Sequence, residues 1–139
     1  MASSSSSNNN NSTSQALLLA KYRTSVEAIF LADDIHAVSS NFRTYYANSL
    51  YADTPGGPKD ARQFLASLLE MRAQLSDIRL EYVHQIVSGR NVGSFERLTA
   101  KGRDGQVVKG NAIIFATFGE EGTPDEDKIV AFRETLELA

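Results

Sequence analysis

The residue best able to do chemistry is a carboxylate set in the middle of an apolar strand face. Over residues 128–138 (Lys-Ile-Val-Ala-Phe-Arg-Glu-Thr-Leu-Glu-Leu) side chains alternate between two sides. Val130, Phe132, Glu134, Leu136 and Leu138 share one side, and Ile129, Ala131, Arg133, Thr135 and Glu137 share the other. A carboxylate on a greasy stripe costs free energy unless it is paired, neutralised or needed for a reaction. Desolvation by Phe132, Leu136 and facing helices would raise the pKa of Glu134 and make it a better base near neutral pH. A nearby Arg97 would pull the other way and keep it charged. The competing reading is a buried Glu–Arg pair with no catalytic task.

Other candidates surround that acid. Arg97 is expected on a strand face with Phe95 and Thr99, with Glu96 opposite, where it would orient the acid or polarise a substrate oxygen. Tyr46 and Asn48, on an early strand, could hold a water or a carbonyl, whereas Tyr45 and Tyr51 read as core or interface. His84 shares a face with Leu80, Tyr82 and Ile86, as a proton shuttle in a pocket or as a satisfied core histidine. Asn111, the polar break before Ala112-Ile113-Ile114-Phe115, points into the pocket or sits at its rim. Phe30, Phe64, Leu68 and Phe118 read as pocket wall or core. There is no cysteine, no Ser-His-acid set and no Gly-rich phosphate loop. The two histidines, His36 and His84, are far apart, so neither a metal nor a cofactor is expected.

Those residues need a scaffold, and the composition bounds it. With 139 residues, 42% of them hydrophobic, 22% charged, and a net charge of −3, the chain fits one ordinary globular domain. The basic residues are scattered, which argues against a nucleic-acid partner. Residues 1–15, with runs of five Ser and four Asn, are expected to form a disordered tail, leaving a domain over 16–139. They lack the features of a signal peptide, and no stretch approaches transmembrane length. A cytoplasmic protein is expected.

Apolar spacing predicts a helix over 16–32 (Leu19, Tyr22, Val26, Ile29, Phe30). A short second helix follows, capped by Asp33 or Asp34 and carrying Ile35, Val38 and Phe42. A Tyr-rich strand over 45–53 ends at Thr54-Pro55-Gly56-Gly57-Pro58. Next comes a helix over 59–75, begun by Pro58, with Ala61, Phe64, Leu65, Leu68, Met71 (or Arg72) and Leu75 along one side. Four long strands joined by turns complete the chain, over 78–87, 92–101, 106–118 and 128–138. The class is α+β: a curved antiparallel sheet wrapped by helices into a cone with an internal pocket. Residues 112–118 are apolar on both faces, so the outer sheet face is expected to carry a second subunit.

The element order, the hairpin run and the ending Lys-Ile-Val-x-Phe-x-Glu resemble the nuclear-transport-factor-2-like cone fold. The likeness is greatest to its SnoaL-like polyketide-cyclase and limonene-epoxide-hydrolase branches, over about residues 17–138. The epoxide-hydrolase pattern implies that Tyr46-Ala47-Asn48 holds a water, Arg97 lies on a middle strand and Glu134 is the base. Thr99 stands where that family has an Asp that protonates the epoxide oxygen, so His84 or Tyr82 would have to supply the proton. The resemblance implies a cofactor-independent acid/base enzyme acting on an apolar polyketide- or terpenoid-like molecule. It would be a cyclase, isomerase, dehydratase or epoxide hydrolase of natural-product biosynthesis, with catalytic Glu134, Arg97, Tyr46 and Asn48. His84, Thr99, Tyr82, Asn111 and Phe132 would contact substrate. A noncatalytic ligand-binding or dimerisation module of the same fold is the alternative.

Overall fold

The computed structural model describes residues 2–138, with side chains over 13–137. Three helices, α1 (Ala2–Phe30), α2 (Ile35–Tyr45) and α3 (Ala61–Gln74), pack on a six-stranded sheet. Its strands are β1 (Tyr46–Thr54), β2 (Gly57–Asp60), β3 (Ser76–Ser88), β4 (Asn91–Lys101), β5 (Val107–Phe118) and β6 (Ile129–Leu138). They lie in the order β2-β1-β6-β5-β4-β3, antiparallel throughout except for the parallel β1–β6 pair. This is the expected α+β cone, with one short strand that was not expected.

Local chemistry places the helix ends. The Asp34 carboxylate accepts from the Ala37 amide at 3.0 Å and caps α2, while Asp60 and Gln63 form a capping box on α3. The predicted start of α3 at Lys59 is corrected by that box. Pro58 and Lys59 belong to β2, an edge strand, where a proline costs no ladder hydrogen bond.

α1 buries Tyr22, Val26 and Ile29, as its spacing predicts, and Leu18 is the first buried side chain among those described. We propose that residues 1–15 are a tail separable from the domain over 16–139, since Ser and Asn are mediocre helix formers. Among the described residues, no helix is long and apolar enough to cross a membrane.

The solid part of the core is aromatic. Phe42 stacks on Tyr46 with centroids 4.7 Å apart, and Phe64 meets Phe132 at 5.1 Å. Phe64 begins the buried side of α3, and Phe132 lies two residues before Glu134. Beyond them, toward the C-terminal ends of α3 and β6, the helix and sheet enclose a hollow.

The long loop before β6 is tied at Gly119. Its amide donates to the Lys128 carbonyl at 3.0 Å, and its carbonyl accepts from Arg90 Nε at 2.9 Å. A Cβ at this position would collide with the Asp125 carbonyl oxygen, a backbone atom that cannot rotate away. Gly119→Ala is expected to destabilise the domain by about 2–3 kcal/mol. A urea midpoint matching that of the parent chain would refute this.

Candidate active site

The hollow is a cavity of about 850 Å³ with mostly aliphatic walls. α3 supplies Leu68, Met71 and Leu75 on one side. β5 supplies Val108, Gly110, Ala112 and Ile114 on the other, and the small Gly110 and Ala112 leave the volume that larger side chains would fill. Glu70 of α3 and Arg103 and Asp104 of the β4–β5 turn, all exposed, stand at its mouth.

Two carboxylates interrupt this lining, Glu134 and Glu96. Glu134 sits on β6 opposite Ile114 of β5, and Glu96 sits on β4 opposite Ala112 of the same strand. The two acids therefore flank β5, at a strand separation of roughly 10 Å. Glu96 is 3% exposed, and its Oε2 accepts a hydrogen bond of 2.6 Å from the Tyr22 hydroxyl of α1. Burial raises the pKa of Glu96, while hydrogen bonds from Tyr22 and Ser94 work against the rise. Burial, and then the Glu96 charge, push the pKa of Glu134 up to about 7. Tyr22 and Tyr46 are held well above the usual phenol range, chiefly by burial and then by the Glu96 charge, so both remain protonated donors.

Among the residues expected at the site, Glu134 lines the cavity. Phe132 packs in the core against Phe64, next to the cavity. Tyr46 is buried and donates to the Ser25 carbonyl at 3.2 Å, close enough to Glu134 to feel its charge but not in the cavity wall. Tyr82 donates to Glu27 Oε2 at 3.0 Å, under the Arg23 guanidinium, away from the cavity.

The remaining expectations are corrected by the sheet register. Inward positions on β4 are Val92, Ser94, Glu96, Leu98 and Ala100, so Arg97 and Thr99 face out and the expected Glu134–Arg97 pair does not form. Arg97 instead lies 4.0 Å from Glu81 in solvent. Asn111, in register with Arg97, shares that outer face. His84 is exposed, because a bulge in β3 between Tyr82 and His84 reverses the alternation. Asn48 is exposed on β1. Glu96 and Tyr22 were not anticipated as site residues. Their signal was present in β4, where Arg97 and Lys101 share one parity and so mark the solvent face, leaving Glu96 inside.

No protein-family model matches the chain, and no curated protein matches it in sequence. Solved structures do match in fold. AclR of Streptomyces galilaeus superposes with a TM-score of 0.72 at 13% identity, over 88% of this chain and 90% of its own. A SnoaL-like polyketide cyclase of Agrobacterium tumefaciens gives 0.67 at 14%, over 86% and 91%. The BvnE pinacolase of Penicillium brevicompactum gives 0.66 at 17%, over 87% and 82%. The chain thus shares the nuclear-transport-factor-2-like cone fold of these structures.

The raised Glu134 pKa carries a stability cost with a defined pH window. Its stabilising contribution is fully present below the ordinary value of 4.5 and is lost as pH rises through about 7, since only the folded state penalises ionisation. The full penalty above that window is about 3 kcal/mol. Glu134→Gln is therefore expected to leave stability near pH 4 little changed and to raise it at pH 8 by up to about 3 kcal/mol. Equal urea midpoints for the two chains at pH 8 would contradict this.

Proposed function

We propose that this protein is a cofactor-independent acid/base enzyme that moves a proton within an apolar polyketide- or terpenoid-like small molecule. The observation that carries this reading is Glu134, a carboxylate with a pKa near 7 on the wall of an 850 Å³ hydrocarbon-lined cavity. Such a group exists in both protonation states near neutral pH. It can take a proton from an acidic C–H or O–H of the bound molecule and return it at another atom, with no net change in the enzyme. Cyclisation, isomerisation and dehydration all need that step. A SnoaL-like polyketide cyclase and a pinacolase share the fold, which supports the substrate class.

Epoxide opening is the less favoured branch. Its water-holding and electrophilic positions would be Asn48, Arg97 and Thr99, and none of these lines the cavity. The Glu134–Arg97 partnership is likewise not part of the proposal. A cytoplasmic setting is.

We also propose a homodimer through the outer sheet face. There Ile86, Ile113 and Phe115 are 56%, 46% and 52% exposed, and Ile86 and Phe115 close over Gly93. Single exposed apolar residues are ordinary, but a patch of this kind on a sheet face is typical of an interface.

Two measurements test these readings. Incubation with a panel of linear and partly cyclised polyketides and terpenoid alcohols, followed by mass spectrometry, should yield an isomeric or dehydrated product. Glu134→Gln should lower that rate by at least ~100-fold. Full activity in that variant would discard the acid/base role of Glu134, and no product from the parent chain would leave a ligand-binding module. Light scattering should give twice the monomer mass of 15.2 kDa, and Phe115→Glu should return the monomer. A monomeric parent chain would rule the interface out.

A further inference from the structure

The polar groups on the sheet wall of the cavity are both acids. Among the described residues that line it, the one cation is Arg103, at the exposed mouth, and its Nε donates to the Ala73 carbonyl at 3.3 Å. Glu70 and Asp104 share that mouth. Arg97, the guanidinium nearest to Glu96 in sequence, is turned to the opposite face and lies near Glu81. Among the described residues that line the cavity, no cation therefore neutralises Glu96 or Glu134 from inside.

Glu96 is also fixed in place. It is buried, with Oε2 held by Tyr22 and with Ser94 beside it on the same strand face. Ser94 is itself held, accepting from Gln85 Nε2 at 3.0 Å, and Gln85 in turn accepts from Arg23 Nε at 2.8 Å. Burial raises the pKa of Glu96 and these donors offset part of that rise, so its negative charge, where it forms, lies against hydrocarbon with no cation beside it. An uncompensated charge in such surroundings is costly, and a ligand that supplies the opposite charge recovers that cost on binding.

We propose that Glu96 is a specificity-determining residue of this cavity: anchored by Tyr22 and set diagonally across β5 from Glu134, beside Ala112 where Glu134 is beside Ile114, it selects an apolar ligand that carries or develops positive charge on the wall that the two acids share. The proposal rests on the cavity being the substrate site. It narrows the substrate class to polycyclic molecules that bind as ammonium ions or react through a cationic carbon. Anionic ligands of the same skeleton are disfavoured, since they would meet two carboxylates and no inward-facing cation.

The test uses the full chain and three probes that share one tricyclic diterpenoid skeleton: dehydroabietylamine, dehydroabietinol and dehydroabietic acid. Binding is followed by calorimetry and by amide chemical shifts at pH 8, above the Glu134 midpoint. The amine should bind at least ~10-fold more tightly than the alcohol, as expected for one partly desolvated charge pair, and the acid should bind most weakly. Glu96→Gln should lower the amine-to-alcohol ratio at least ~3-fold, the remaining preference coming from ionised Glu134. Glu96→Asp should restore part of the preference.

Equal affinity for amine and alcohol in the parent chain, or tighter binding of the acid, would overturn the proposal and leave the cavity reading intact. An unchanged ratio in a folded Glu96→Gln variant would overturn the assignment to Glu96. Failure of all three probes to shift any resonance of cavity residues would overturn both the proposal and the reading of the cavity as a ligand site.

Discussion

The organisation of this molecule depends on two carboxylates being kept in a hydrocarbon hollow without a cation. Each alone would be expelled to water or neutralised. What holds them is the antiparallel register of β4, β5 and β6, which fixes the parity of every side chain on the sheet. Once Ala112 and Ile114 of β5 face inward, Glu96 and Glu134 must do so as well, because they are their cross-strand partners. A slip of one residue on β4 would bring Arg97 inside and send Glu96 to solvent, replacing an acidic pocket by a neutralised one. The position of the charge is thus set by the whole hydrogen-bond ladder and not by local contacts.

The helices complete what the sheet begins. Tyr22 of α1 reaches across to Glu96 with a 2.6 Å hydrogen bond, which couples helix packing directly to the state of the acid. α3 closes the other side with Leu68 and Met71, which line the cavity together with Glu134. The aromatic block of Phe42, Tyr46, Phe64 and Phe132 fills the adjoining part of the cone. The hollow can stay open because that neighbouring region is close-packed and carries the stability.

Much of this was legible from residue types and spacing, and the exceptions have physical reasons. The helix faces of α1 and α3, the order of the long strands and the inward placement of Glu134 follow from periodicity, which packing enforces strongly. His84 was assigned to the inner face by strict alternation from Leu80 and Tyr82, but a bulge adds one residue and reverses the parity beyond it. Sequence carries little signal for such a bulge. β2 was read as a breaker because Pro58 stands inside it, and only an edge strand tolerates that residue. The resemblance to epoxide hydrolases drew Arg97 toward Glu134, although Arg97 and Lys101 on one parity already described a wet face.

That misassignment bears on the chemistry. A guanidinium beside Glu134 would have held its pKa low and made it a permanently charged, weakly basic group. Burial together with a second acid does the reverse, raising Glu134 to about 7, where proton uptake and release are nearly balanced. The two environments then divide the labour. Burial raises both acids, but hydrogen bonds from Tyr22 and Ser94 work against the rise at Glu96, whereas Glu134, whose pKa no such donor lowers, is the group that can change protonation state near neutral pH. A site built in this way stabilises positive charge and exchanges protons, but offers little to an oxyanion. This is a physical reason to expect chemistry through cationic or protonated species in a fold that elsewhere hosts quite different reactions.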